Sequence, residues 1–257
     1  MRINVVIAQV PAVWDVATNL RTVRDVLDET EPGDVVLFPE GMLSGYGEDL
    51  TPLDRMDPAE VSDAVLRLAE TATAERVEVF LGTLHPEPEG WSNAAVHLSP
   101  GRKPEIYRKI NLAMNERGRL IPGGSLTVTG TMAGIQLCRE IRFPEQWQFL
   151  ASEGARFFAY LTNAANPREP AGVWRSHLIS RAAENQRFVL SANIPHPDQH
   201  CPSMVVDPRG VVVAELPAGR PGVLRCTIDL ADSGDWYLGQ RRTDVVAVTY
   251  HAAEDRM

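Results

Sequence analysis

Lysine is nearly absent from this chain: among 25 basic residues in 257, only Lys103 and Lys109 are lysine and the rest are arginine. Arginine serves wherever a solvated surface cation is needed. A retained lysine therefore draws attention to what lysine adds, a compact ammonium with three donors and a pKa that burial can move. Cysteine is also scarce. The three present, Cys138, Cys201 and Cys226, are too few and too scattered for a disulfide framework. No Cys-x-x-Cys or His-Glu-x-x-His pattern, nor any clustering of the six histidines, points to a metal. No apolar run approaches the ~20 residues of a membrane span. Met1–Val10 reads as a strand broken by one polar residue rather than as a leader. Positive charge is in deficit, with a net charge of −9, which argues against a phosphate-backbone partner. These absences set the expectation of a cytoplasmic chain with no cofactor, no metal, and neither nucleic acid nor membrane as partner.

A hydrophobic content of 44% with 23% charged residues suits a globular domain with a sizeable core. Short β-branched runs at first alternate with helical periods: strands at Ile3–Gln9, Asp34–Phe38 and Glu78–Thr83, helices at Val16–Asp28 and Val61–Arg76. The rhythm then changes to consecutive strands at Ser92–Leu98, Glu105–Lys109, Leu126–Thr129 and Met132–Leu137. Alternation resumes with a helix Pro144–Gly154, a strand Phe157–Leu161, a helix Val173–Arg187 and a strand Phe188–Asn193. Pro144 suits the first helical turn and Gly154 the stop. Strands at Ser203–Val206, Val211–Ala214 and Gly222–Ile228 follow, and Ala231–Met257 reads as an arm or terminal strand. With no repeat and no long linker, the pattern predicts a single α/β domain with mixed sheets.

Three segments share a form, a buried apolar strand that ends abruptly on a reactive residue. Val35-Val36-Leu37-Phe38-Pro39 runs into Glu40, Ile106-Tyr107-Arg108 into Lys109, and Gly134-Ile135-Gln136-Leu137 into Cys138. Charged groups at strand ends beside a core are costly unless they pair or do chemistry. Brought together, they would make a nucleophilic site in which an ammonium stabilises a thiolate and a carboxylate moves protons. Taken separately, they are a surface glutamate, a solvated lysine and a core cysteine.

Phe38-Pro39-Glu40-Gly41-Met42-Leu43-Ser44-Gly45-Tyr46, Tyr107-Arg108-Lys109-Ile110-Asn111-Leu112 and the block from Gly134 through Cys138-Arg139-Glu140-Ile141-Arg142-Phe143-Pro144-Glu145 resemble, in order and spacing, the three signature blocks of the nitrilase superfamily of carbon–nitrogen hydrolases. Ser92-Asn93-Ala94, Arg175-Ser176-His177-Leu178 through Gln186, and Ser203 through Gly210 are also similar to that family, so the resemblance covers nearly the whole chain. It implies a four-layer α-β-β-α sandwich, with the hydrolase domain over residues 1–230 and residues 231–257 as a C-terminal arm of the same domain. It also implies a catalytic set of Glu40, Lys109 and Cys138. Glu116, ahead of Leu120-Ile121-Pro122-Gly123, matches a fourth catalytic position. Helices 144–154 and 173–187 occupy the family's dimer face, where Trp147, Phe149, Leu150, Trp174 and Ile179 supply apolar surface for a homodimer or cover only the protomer's own sheet.

The implied reaction cleaves a small non-peptide amide to an acid and ammonia through a Cys138 thioester. Lys109 and the Arg139 backbone N–H would hold the oxyanion. A nitrile or an N-carbamoyl compound is the alternative substrate. Tyr46, Asn163, Arg139 and Arg142 are the expected substrate-binding residues, and a pocket-facing Arg142 or Arg139 would favour a monoamide of a carboxylic acid. The bland alternative for Arg142 is an ion pair to Glu140 or Glu145. Arg139-Glu140 stands where many amidases carry Tyr-Asp, and Glu140 gives the Cys-x-Glu of nitrilases. Asn111 replaces a usual histidine, and Cys201-Pro202-Ser203 departs from Gly-x-Ser.

Overall fold

Alternation along each strand decides how the chain layers. In the computed structural model, which describes residues 1–170 and 172–251, strand β1 (Arg2–Gln9) turns Val6 and Ala8 to one face and Val5 and Ile7 to the other. The first set packs under helices α1 (Val16–Leu27) and α2 (Pro58–Glu75), and the second meets an opposing sheet. The first sheet continues through β2 (Asp34–Leu37), β3 (Glu78–Glu87), β4 (Gly90–Leu98) and β5 (Glu105–Arg108). The second holds β6 (Ala133–Leu137), β7 (Phe157–Leu161), β8 (Phe188–Ala192), β9 (Met204–Val206) and β10 (Val212–Glu215), while β11 (Gly222–Asp229) returns to the first. The sheet orders are β11-β1-β2-β3-β4-β5 and β10-β9-β8-β7-β6. Helices α3 (Pro144–Ser152) and α4 (Val173–Asn185) cover the outer face of the second sheet, completing four layers, α-β-β-α.

Most expected elements form within a few residues of their sequence bounds. Helix α2 starts earlier, at Pro58, because Asp57 caps it by accepting from the Ala59 N–H at 2.9 Å. The expected strand Leu126–Thr129 does not form and leaves a single bridge, Val128 with Gly134. The Leu126 N–H is instead taken by the Tyr250 hydroxyl at 2.5 Å, and Thr129 closes a tight turn onto Met132 and Ala133. The described part of the C-terminal stretch forms short 3₁₀ turns and no strand, with the Tyr250 ring packed at a tilt against Phe149, centroids 4.5 Å apart; residues 252–257 lie outside the described residues. Trp147, Leu150 and Trp174 bury themselves against their own sheet.

Strand direction places the site. Strands β1, β2 and β3 run parallel, and β5 is antiparallel to β4, which is antiparallel to β3, so β2 and β5 leave the first sheet at the same end. In α/β sheets such carboxyl ends border the ligand crevice. Gly82 of β3 lets the chain after β2 come close: a Cβ there would lie 2.3 Å from the Pro39 carbonyl oxygen and 2.4 Å from the Glu40 Cα.

Glu140 ties the two sheets together at this end. Its buried carboxylate accepts from the Ile110 N–H at 2.8 Å, the Leu137 N–H at 2.8 Å and the Tyr107 hydroxyl at 2.9 Å, so it joins the end of β5 to the end of β6. Burial pushes its pKa up to about 7 despite these donors.

Gly82→Ala should cost roughly 1–3 kcal/mol in urea unfolding, because backbone rather than a flexible side chain must yield. For Glu140 the raised native pKa means that the folded chain holds the extra proton between the ordinary carboxylate range and about 7, so its contribution to stability falls as pH rises through that window. The parent should therefore lose more stability than Glu140→Gln between about pH 5 and about pH 8, as read from urea midpoints.

Candidate active site

Lys109 is fully buried, and its ammonium lies 2.8 Å from Glu40 Oε1 and 3.0 Å from Glu116 Oε1. A buried ammonium must be paired and hydrogen-bonded to stay charged. Burial disfavours the charge here, but the Glu40 and Glu116 carboxylates oppose it and the lysine is held above its ordinary pKa. The strand register delivers the side chain: the Lys109 N–H donates to the Asn93 carbonyl at 2.8 Å across β4. The Asn93 side-chain amide then bridges the same two carboxylates, donating to Glu40 Oε1 at 2.7 Å and to Glu116 Oε1 at 2.5 Å. Glu116 also accepts from the Tyr46 hydroxyl at 2.7 Å and the Ala113 N–H at 2.5 Å. Burial raises the pKa of this carboxyl, but the Lys109 charge and these donors prevail and lower it, so it stays ionised. Glu40 keeps Oε2 for the Asn163 N–H at 2.9 Å.

Cys138 sits where β6 ends and a 3₁₀ turn, Cys138–Arg142, begins. Its φ of 38° lies in the left-handed region that L residues seldom adopt. Such a conformation persists only where the surroundings over-determine it. Here three carbonyls of the elbow are each held by a buried side chain. The Tyr160 hydroxyl donates to Cys138 O at 2.7 Å, the Trp147 indole N–H to Glu140 O at 2.9 Å, and the Arg181 guanidinium to Ile141 O at 2.9 and 3.1 Å. Burial and the Glu40 charge push the Cys138 thiol up to about 12, with the Lys109 ammonium pulling the other way. One ammonium between two carboxylates leaves a net negative cluster beside the sulfur, so the resting group is the thiol.

Cys138, Tyr46, Asn163, Arg139 and Arg142 all line one cavity of about 760 Å³. Glu40, Lys109 and Glu116 lie buried behind its wall. Arg142 pairs with Glu169, contacts His177 Nε2 at 3.1 Å and stacks on Trp174, so its partner is neither Glu140 nor Glu145. The physical reason is that the Glu140 carboxylate is turned inward onto backbone N–H groups. Among the described residues, no carboxylate pairs with Arg139, which is exposed at the cavity. Cys201 is buried against Met204 and Cys226 lies on β11; neither lines the cavity. Among the described residues no cluster of His, Cys, Asp or Glu could hold a metal ion, and no helix is long and apolar enough to cross a membrane. Sequence reasoning overlooked Asn93, although a polar amide inside the apolar run Ser92–Leu98 was a usable signal. It also overlooked Tyr160 and His200, which no local pattern marks, and read Trp174 only as apolar helix surface although it lines the cavity.

Residues 4–237 match the family model described as carbon-nitrogen hydrolase. The 2-oxoglutaramate amidase of Bacillus subtilis (strain 168) is 31% identical over 219 residues, which are 80% of this chain and 82% of that protein. The deaminated glutathione amidase of Mus musculus is 34% identical over 176 residues, 58% of this chain and 54% of its own. The solved structure of the amidase from Nesterenkonia sp. AN1 superposes with a TM-score of 0.80 at 23% identity, covering 95% of this chain and 98% of that one. Saccharomyces cerevisiae Nit3, of the nitrilase superfamily, gives 0.76 at 23%, covering 94% and 95%. A family match across nearly all of the chain and a relative at 31% identity, with a shared four-layer fold beside them, lead to one assignment: this chain belongs to the carbon–nitrogen hydrolase family.

Proposed function

We propose that the chain hydrolyses a small non-peptide amide to a carboxylic acid and ammonia through a thioester on Cys138. The observation that carries this reading is a cysteine held in a strained elbow on the wall of a polar cavity, beside a fully buried carboxylate–ammonium pair. Two amidase relatives support it, as does the Nesterenkonia amidase, a variant of which shows covalent addition of the acetamide moiety of fluoroacetamide at its active site cysteine.

The mechanism follows from the charges. Because the thiol is pushed up to about 12, a free thiolate is not the resting nucleophile, and Glu40 takes the proton as sulfur attacks the carbonyl carbon. The C=O π pair moves onto oxygen, and the Lys109 ammonium and the Arg139 backbone N–H receive that negative charge. A donor of this kind is worth about 3–4 kcal/mol. Collapse breaks the C–N bond, and Glu40 returns the proton to the departing ammonia. The same carboxylate then activates the water that opens the thioester. Glu116, Asn93 and Tyr46 fix the ammonium in place.

The substrate class we infer is a monoamide that carries a carboxylate. Arg142 is neutralised by Glu169, whereas Arg139 has no carboxylate partner among the described residues and faces the cavity. The name of the Bacillus relative specifies an amide of an oxo dicarboxylic acid.

Cys138→Ala should reduce ammonia release from a panel of small amides to background. Lys109→Arg should lose at least about 100-fold in kcat, because the planar guanidinium cannot replace a compact ammonium set between two carboxylates. Near-parent turnover in either variant would remove that residue from the mechanism. Succinamate should exceed its uncharged analogue butyramide by about tenfold or more in kcat/KM, the worth of one charge-assisted hydrogen bond. The preference should vanish in Arg139→Met, and equal values in the parent would rule out carboxylate recognition.

A further inference from the structure

One of the two proposed oxyanion donors is a backbone group, so its direction is set by the peptide between Cys138 and Arg139. The described residues contain no cis peptide. In a planar trans peptide the C=O and the following N–H point in opposite directions. Whatever fixes the Cys138 carbonyl therefore fixes the Arg139 N–H.

That carbonyl is fixed by Tyr160. Along β7, Phe157, Ala159 and Leu161 face the opposing sheet, while Phe158 and Tyr160 face the helix layer. Tyr160 is fully buried there, its ring 5.6 Å from that of Trp147, and its hydroxyl donates to Cys138 O at 2.7 Å. With the carbonyl drawn toward the helix layer, the Arg139 N–H is turned the other way, toward the side on which Cys138 and Arg139 line the cavity. The left-handed φ of Cys138 makes this anchor necessary. A flip of the peptide would exchange the two groups and present a carbonyl oxygen where negative charge has to be received.

We propose that Tyr160 is a positioning residue for the oxyanion site, holding the Cys138–Arg139 peptide so that the Arg139 N–H faces the reacting carbonyl. The inference rests on the thioester reading. Burial above all holds the phenol well above its ordinary pKa, so it remains a neutral donor throughout the working range.

Two thiol reactions separate this role from a general structural one. With p-nitrophenyl acetate, sulfur attacks the acetyl carbon, its proton passes to Glu40, the π pair moves onto oxygen, and collapse expels p-nitrophenolate to leave an acetyl thioester. With iodoacetamide, sulfur displaces iodide at a saturated carbon as its proton passes to Glu40, and no carbonyl oxygen gains charge. Tyr160→Phe keeps the ring and removes only the donor. The Cys138-dependent acylation, taken as the difference from Cys138→Ala, should fall about tenfold or more, while alkylation of Cys138 by iodoacetamide stays within about twofold of the parent. Alkylation at the parent rate also shows that the variant is folded around the thiol. Unchanged acylation in Tyr160→Phe, or a parallel loss of both reactions, would overturn the proposal. A parent whose Cys138 takes up no acetyl group would instead overturn the thioester reading, and this inference with it.

Discussion

An ammonium sealed from water between two carboxylates organises this protein. Lys109 is fully buried, as are Glu40 and Glu116, and none of the three could be left alone in that place without a large desolvation penalty. Their mutual distances therefore constrain the chain far beyond the site. Strand β5 must hold its register against β4 so that the Lys109 N–H meets the Asn93 carbonyl, and β3 must carry glycine at 82 so that Glu40 can approach. The turn at 113–116 must fold back so that Glu116 reaches both the ammonium and the Tyr46 hydroxyl. The same cluster sets the chemistry of its neighbour. Its net negative charge, with burial, keeps the Cys138 sulfur protonated at rest.

Around the cysteine, orientation is controlled through the backbone. The carbonyls of Cys138, Glu140 and Ile141 accept hydrogen bonds from Tyr160, Trp147 and Arg181, three buried side chains from β7, α3 and α4. The layer that closes the hydrophobic core of the second sheet thus also aims the peptide groups of the elbow. Glu140 performs the complementary task from the sheet interface, accepting backbone N–H groups from the ends of both β5 and β6. The cavity wall is pinned from two directions, which is how a strained φ at Cys138 is maintained.

Much of this was legible in the chain. Periodicity located the strands and helices because each strand has one face on helices and one on the opposing sheet, and the abrupt endings on Glu40, Lys109 and Cys138 marked the residues that meet. Leu126–Thr129 was misread because β-branched and apolar content there serves a bridge and a docking point for Tyr250 rather than a ladder. Arg142 found Glu169, far along the chain, in place of the carboxylates near it in sequence. Asn93 was visible as part of a family-like block and as a polar residue in an apolar run, but its role was not, since bridging two carboxylates depends on partners 53 and 23 positions away.

The linear order of residues displayed the family-like blocks, the layered α/β pattern and the strand endings on Glu40, Lys109 and Cys138, since these are local features of the chain. Packing alone decided which groups touch and in what state they rest. The pKa of Lys109, Glu140 and Cys138 is set by burial and by charges brought from distant strands. The direction of the peptide after Cys138 is set by a tyrosine on a neighbouring strand. Electrostatic energy depends on distance and on the exclusion of water, and neither exists until the two sheets have closed on each other.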